Sequence, residues 1–77
     1  MIKITYDKSV DAAYIYFLEP GTPVEKTYIC NPSEVNGMIN LDFDKEGKLI
    51  GVEVIDASKK LPNAILQKEN NPNFLGN

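Results

Sequence analysis

Six carboxylates, Asp7, Asp11, Asp42, Asp44, Glu53 and Asp56, are the residues of this 77-residue chain best able to begin a reaction. The alternating pattern around them places Asp42 and Glu53 on one face of a single hairpin, as diagonal neighbours. Such a pair suits proton transfer or the binding of a hard cation such as calcium or magnesium. The same residues also have a plainer account. Asp7 and Asp44 open turns, Asp56 caps the start of a helix, and Asp42 and Glu53 are solvated strand positions. The plainer account is preferred. Asp42-Phe-Asp44 lacks the third ligand and the later glutamate of an EF-hand loop. No metal and no cofactor is expected, and Asp42 with Glu53 remains the alternative ligand or metal site.

The nucleophiles are weaker candidates still. The chain has no histidine, so neither Cys30 nor Ser58 has the usual activating base. Cys30 reads as a packed strand residue and Ser58 as part of a helix start. Lys59 and Lys60 are the only other bases near Ser58. Gly47 and Gly51 do not form a phosphate-binding loop. Gly47 serves a turn. Gly51 lies inside a strand, where glycine marks either a bulge or the close approach of an aromatic ring from Tyr14 or Tyr16. Catalysis is therefore not expected. The tyrosines Tyr14, Tyr16 and Tyr28 are the candidate interaction surface, because tyrosine is large, rigid and amphipathic and is enriched at interface centres.

Composition narrows the partner classes. The formal net charge is −3 and the isoelectric point is about 4.7. All eight basic residues are lysines, scattered from Lys3 to Lys68. Without arginine the chain lacks the best side chain for reading guanine or clamping phosphate, so no direct nucleic-acid binding is expected. An acidic surface suits a basic partner. No run approaches the length needed to span a bilayer, and Met1-Ile-Lys-Ile-Thr-Tyr6 lacks the apolar region of a signal peptide. An unpaired cysteine fits a reducing compartment, and a cytoplasmic location is expected. One cysteine allows no internal disulfide. A fold this small is therefore expected to be stapled by self-association, as a homodimer, or by a permanent partner.

Five strands must position these residues. Ile2 to Tyr6 alternates, with Ile2, Ile4 and Tyr6 on one face. Ala12 to Leu18 is apolar on both faces and reads as a central strand. Glu19-Pro-Gly-Thr-Pro23 breaks the chain. Val24 to Cys30 has no clean apolar face and reads as a strand at or near an edge. Asn31 to Gly37 reads as a loop. Ile39, Leu41 and Phe43 then alternate with Asn40, Asp42 and Asp44. Ile50, Val52 and Val54 share a face after the turn. A two-residue loop, Lys45-Glu46, would set Leu41 opposite Ile50, Ile39 opposite Val52 and Met38 opposite Glu53. Short helices follow at Asp56–Leu61 and from Pro62 to Lys68, with Leu61, Ile65 and Leu66 on the sheet. Glu69 to Asn77 reads as a frayed tail. The expected class is α+β: an antiparallel β-meander of about five strands with a short C-terminal helix packed on one face. One short helix leaves the second face of the sheet without cover.

These segments carry a family resemblance. Ile2-Lys-Ile-Thr-Tyr-Asp7, Asp11-Ala-Ala-Tyr-Ile-Tyr16, Leu41-Asp-Phe-Asp44, Gly47-Lys-Leu-Ile-Gly51 and Val52-Glu-Val-Ile-Asp-Ala-Ser58 together resemble a small prokaryotic family, domain of unknown function 2283. The resemblance spans residues 1–61 as one family-like unit. It leaves out the Asn31–Gly37 insertion and the helix and tail over residues 62–77. It implies a compact sheet with a short helix and no established enzymatic activity. Some members look like one half of a toxin–antitoxin-type pair, which implies neutralisation of a small basic partner.

Overall fold

The computed structural model describes residues 2–68. The expected tail lies outside the described residues. Five strands form one antiparallel sheet: β1 (Lys3–Asp7), β2 (Ala12–Tyr16), β3 (Lys26–Ile29), β4 (Ile39–Phe43) and β5 (Leu49–Ile55). Three short helices, α1 (Pro32–Val35), α2 (Ala57–Lys60) and α3 (Asn63–Lys68), complete an α+β fold.

The strand order is β1-β2-β5-β4-β3, so one connection departs from the expected meander. β2 pairs with β5 instead of β3. Strands β3, β4 and β5 follow one another as a meander, and β2 lies beside β5, which is a Greek-key arrangement. The residues after β2 explain the departure. Hairpin loops hold two to five residues, whereas the run from Phe17 to Glu25 is longer and carries Pro20 and Pro23. It is long enough to pass two strands and deliver β3 to the far edge. β2 keeps the interior place that its two apolar faces demand.

The β4–β5 register also differs from the expected one. Leu41 faces Val52, Ile39 faces Val54 and Asn40, not Met38, faces Glu53. The turn explains the shift. Asp44 N–H donates to Lys48 O at 2.9 Å and Gly47 N–H to Asp44 O at 3.0 Å. The loop is thus Lys45-Glu46-Gly47, with Gly47 at φ +82°. This is the three-residue hairpin with a left-handed glycine. The Asp44 carboxylate holds it by accepting the N–H groups of Glu46 and Lys48. A bulge follows, in which Leu49 and Ile50 both stand against Phe43.

The core lies on one face at one end of the sheet. Ala13, Val54, Ala57 and Leu66 are buried together, with Tyr6, Ile39, Val52 and Leu61 packed around them. Helices α2 and α3 supply Ala57 and Leu66, so both cover this face. Asp56 does not cap α2 through its side chain, contrary to expectation. The capping carboxylate comes from Asp11, 47 residues away, which accepts Ser58 N–H at 2.9 Å and Ser58 Oγ–H at 2.7 Å. Tyr6 Oη–H donates to the same carboxylate at 2.7 Å. Asn31 caps α1 in the segment read as a loop, accepting Ser33 N–H at 3.0 Å.

The Asp11 cluster gives a pH test. The hydrogen bonds from Tyr6 and then Ser58 hold the Asp11 carboxyl below the usual carboxylate range. Asp7 is lowered too, chiefly by the Ser9 hydroxyl. A depressed carboxyl binds fewer protons in the folded chain than in the unfolded one. Its stabilisation is therefore present above the unfolded value, about 4, and is lost as pH falls through the folded value. Asp11→Asn should lower stability at neutral pH and flatten the acid limb of a stability–pH curve followed by circular dichroism. An acid limb as steep as in the wild type would remove Asp11 from this role.

Candidate functional site

The strand register sorts the side chains into two faces. Ile4, Tyr6, Ala13, Ile15, Val52, Val54, Ile39, Leu41, Phe43 and Tyr28 share the face that meets α2 and α3. Thr5, Tyr14, Tyr16, Gly51, Glu53, Asn40, Asp42 and Thr27 share the other. The buried helix residues Ala57 and Leu66 both belong to the first cluster. The second face is the candidate site.

Tyr14 organises that face. Its ring leaves β2, crosses Gly51 on β5, and its hydroxyl donates to Asp42 Oδ2 on β4 at 2.5 Å. A Cβ placed on Gly51 would lie 2.6 Å from Tyr14 Cζ and closer still to the hydroxyl oxygen. Gly51 is therefore glycine because a phenol occupies the space of its side chain. Of the two sequence-based accounts, ring and bulge, both are present. The ring lies over Gly51 itself and the bulge sits one residue before it. Tyr16 stacks beside Tyr14, with ring centroids 4.4 Å apart and planes tilted by 48°.

The carboxylates are held within the same network. Thr27 Oγ–H donates to Asp42 Oδ1 at 2.6 Å, and Asn40 Nδ2 donates to Glu53 Oε1 at 2.8 Å. Asp42 and Glu53 share a face, as expected, and the observed register, with Asp42 opposite Gly51, makes them diagonal neighbours. Burial, then the Asp42 hydrogen bond and charge, push the Tyr14 phenol well above the usual range, so it stays protonated and donating. Asn40 Oδ1 is buried and has no partner among the described residues.

This geometry offers little for a metal. Three of the four Asp42 and Glu53 oxygens already accept hydrogen bonds. The described residues hold no group of three or more His, Cys, Asp or Glu placed to bind a metal ion. Cys30 is half-buried at the end of β3. Ser58 donates its hydroxyl to Asp11.

Tyr14 and Tyr16 stand together as read from the sequence, but Tyr28 does not join them. It pairs with Leu41 on the opposite face and is 54% exposed. Residue type suggested the grouping, and the strand parity separates it. Sequence reading missed Thr27 and Asn40. Their only local signal is polar alternation in strands whose pairing is not local.

The family model for DUF2283, described as a protein of unknown function, matches residues 3–58. The chain belongs to this family. No curated protein and no solved structure matches it. The DUF2283 match begins at the first residue of β1 and ends at Ser58, whose N–H and hydroxyl close on Asp11. The family unit thus contains the whole sheet, the Tyr14–Asp42 crossing and the α2 cap, while α3 with Leu66 lies beyond it. No described helix is long and apolar enough to cross a membrane.

Proposed function

We propose that this protein is a non-enzymatic interaction module whose sheet face opposite the Ala57–Leu66 core receives a small basic protein. One observation carries the reading: that face sets the Tyr14–Tyr16 ring pair beside Asp42 and Glu53. By register, Asp7, Asp42 and Glu53 lie on it and Lys3 is the only base that the described strands place there, at the margin next to Tyr16. Rings next to carboxylates suit a lysine or arginine side chain, which can lie over a ring and pair with an acid. The acids favour a basic partner and oppose a second copy docking face to face. The mechanism is occlusion: the rigid face covers the partner's working surface. An antitoxin-like role, as in the pairs associated with the family resemblance, is the biological form of this reading.

The test uses residues that can change without disturbing the Gly51 crossing. Tagged wild-type protein, Tyr16→Ala and Glu53→Gln are compared in affinity capture from the native cells. The expected result is one small basic protein recovered stoichiometrically by the wild type. Affinity for that protein should fall by more than about 1 kcal/mol in each variant and weaken with salt. Equal binding by both variants would exclude this face.

A further inference from the structure

We propose that β3 is a self-pairing edge. Two copies join β3 to β3 antiparallel, about a two-fold axis normal to the sheet, and make one continuous sheet of twice five strands. This inference stands apart from the basic-partner reading and would survive its failure.

β3 is one of the two edge strands, and all four of its residues are exposed. Its large apolar side chains point to opposite faces, Tyr28 at 54% and Ile29 at 55% exposure. Cys30 N–H donates to Ile39 O at 2.9 Å, in register with the β3–β4 pairing. Bonded residues alternate along an antiparallel strand. Tyr28 therefore also bonds inward to β4, whereas Thr27 and Ile29 turn their N–H and C=O groups outward. Such a row is a template for another strand.

The occupant follows from closure and from the side chains. Pairing β3 with β1 of another copy would repeat head to tail without closing, whereas β3 with β3 closes after two copies. Because outward residues pair only with outward residues, the registers differ by steps of two. The favoured one exchanges bonds between Thr27 and the partner's Ile29, in both directions. It sets Tyr28 against the partner's Tyr28, at the close-approach position on the apolar face. Lys26, the one charge on the strand, then faces the partner's Cys30, so the two lysines stand at opposite ends of the contact. A step one way would set Lys26 against the partner's Tyr28 and Glu25 against the partner's Ile29. A step the other way would carry Thr27 onto the partner's Asn31, where the chain turns into α1.

The experiment reads mass and register together. Light scattering with size exclusion should find the wild type moving, as concentration rises, from 8.6 kDa to twice that mass. Lys26→Cys retains Cys30, and the pairing brings residue 26 to about 4.5 Å, Cα to Cα, from the partner's residue 30, within disulfide reach. Mild oxidation should give a covalent dimer from Lys26→Cys and none from Lys26→Cys/Cys30→Ser. Ile29→Pro removes an outward N–H, which an edge strand tolerates. It should keep the wild-type circular dichroism and remain monomeric. A wild type that stays monomeric at every concentration would overturn the proposal. So would a dimer without the 26–30 bridge, or one that Ile29→Pro leaves intact.

Discussion

Gly51→Val is expected to cost about 2–4 kcal/mol, combining overpacking with the loss of a hydrogen bond. Valine is the better strand residue by intrinsic preference, by up to about 1 kcal/mol. That preference loses because the new Cβ would overlap a ring whose Cζ lies 2.6 Å away. The ring cannot turn aside cheaply, since its hydroxyl is fixed on Asp42. Displacing it would free Asp42 Oδ2 and break the stack on Tyr16. The cost should therefore depend on Tyr14. In a Tyr14→Ala background the valine fills vacated space, and its cost should fall below about 1 kcal/mol. Urea unfolding of the four proteins in this cycle is the measurement. Equal losses in both backgrounds would show that Tyr14 is not what keeps residue 51 small.

The second large effect is expected at Leu66, where leucine to alanine should cost about 2–5 kcal/mol. Leu66 is 5% exposed and is the only buried residue of α3 among those described. A chain of this length has a total stability on the order of 4–12 kcal/mol. The substitution should lower the melting temperature by on the order of 10 °C or more. It should uncover Ala13 and Val54, over which Ala57 is the other buried helix side chain among the described residues. Ile65→Ala, at a half-buried neighbour, is the control and should cost clearly less. A Leu66→Ala protein melting within a few degrees of the wild type would mean that α3 does not cover the sheet.

How far the sequence could be read depends on which patterns are local. The faces of β4 and β5 were legible because a one-residue slip would expose an entire apolar set. A slip of two residues leaves the faces unchanged. Hydrophobicity therefore could not distinguish Leu41–Ile50 from the observed Leu41–Val52. Gly47 in the left-handed region and the extra residue at Ile50 decide it. A place for β3 at or near an edge was legible in its mixed faces, while the strand order was not, since the meander and the Greek key share the β1–β2, β3–β4 and β4–β5 hairpins and differ in whether β2 pairs with β3 or β5. At the site, an aromatic ring over Gly51 could be read from the glycine itself. Asp42 as the end of that ring's reach, and Asp11 as the cap of α2, are contacts between residues 28 and 47 positions apart. No local spacing encodes them.

The place of β5 beside β2 has a kinetic consequence. The β1–β2 hairpin and the β3–β4–β5 meander each form from near neighbours, but they pair with each other along Ala12–Tyr16 against Gly51–Ile55. Closing the intervening loop removes chain entropy before any of that pairing is rewarded, and such non-local closure slows folding. The rate-limiting event is then the zipping of one hairpin onto the other unit. Mutations at Tyr14 or Gly51, which act across that seam, should change the speed of folding more than mutations in the Asp44 turn.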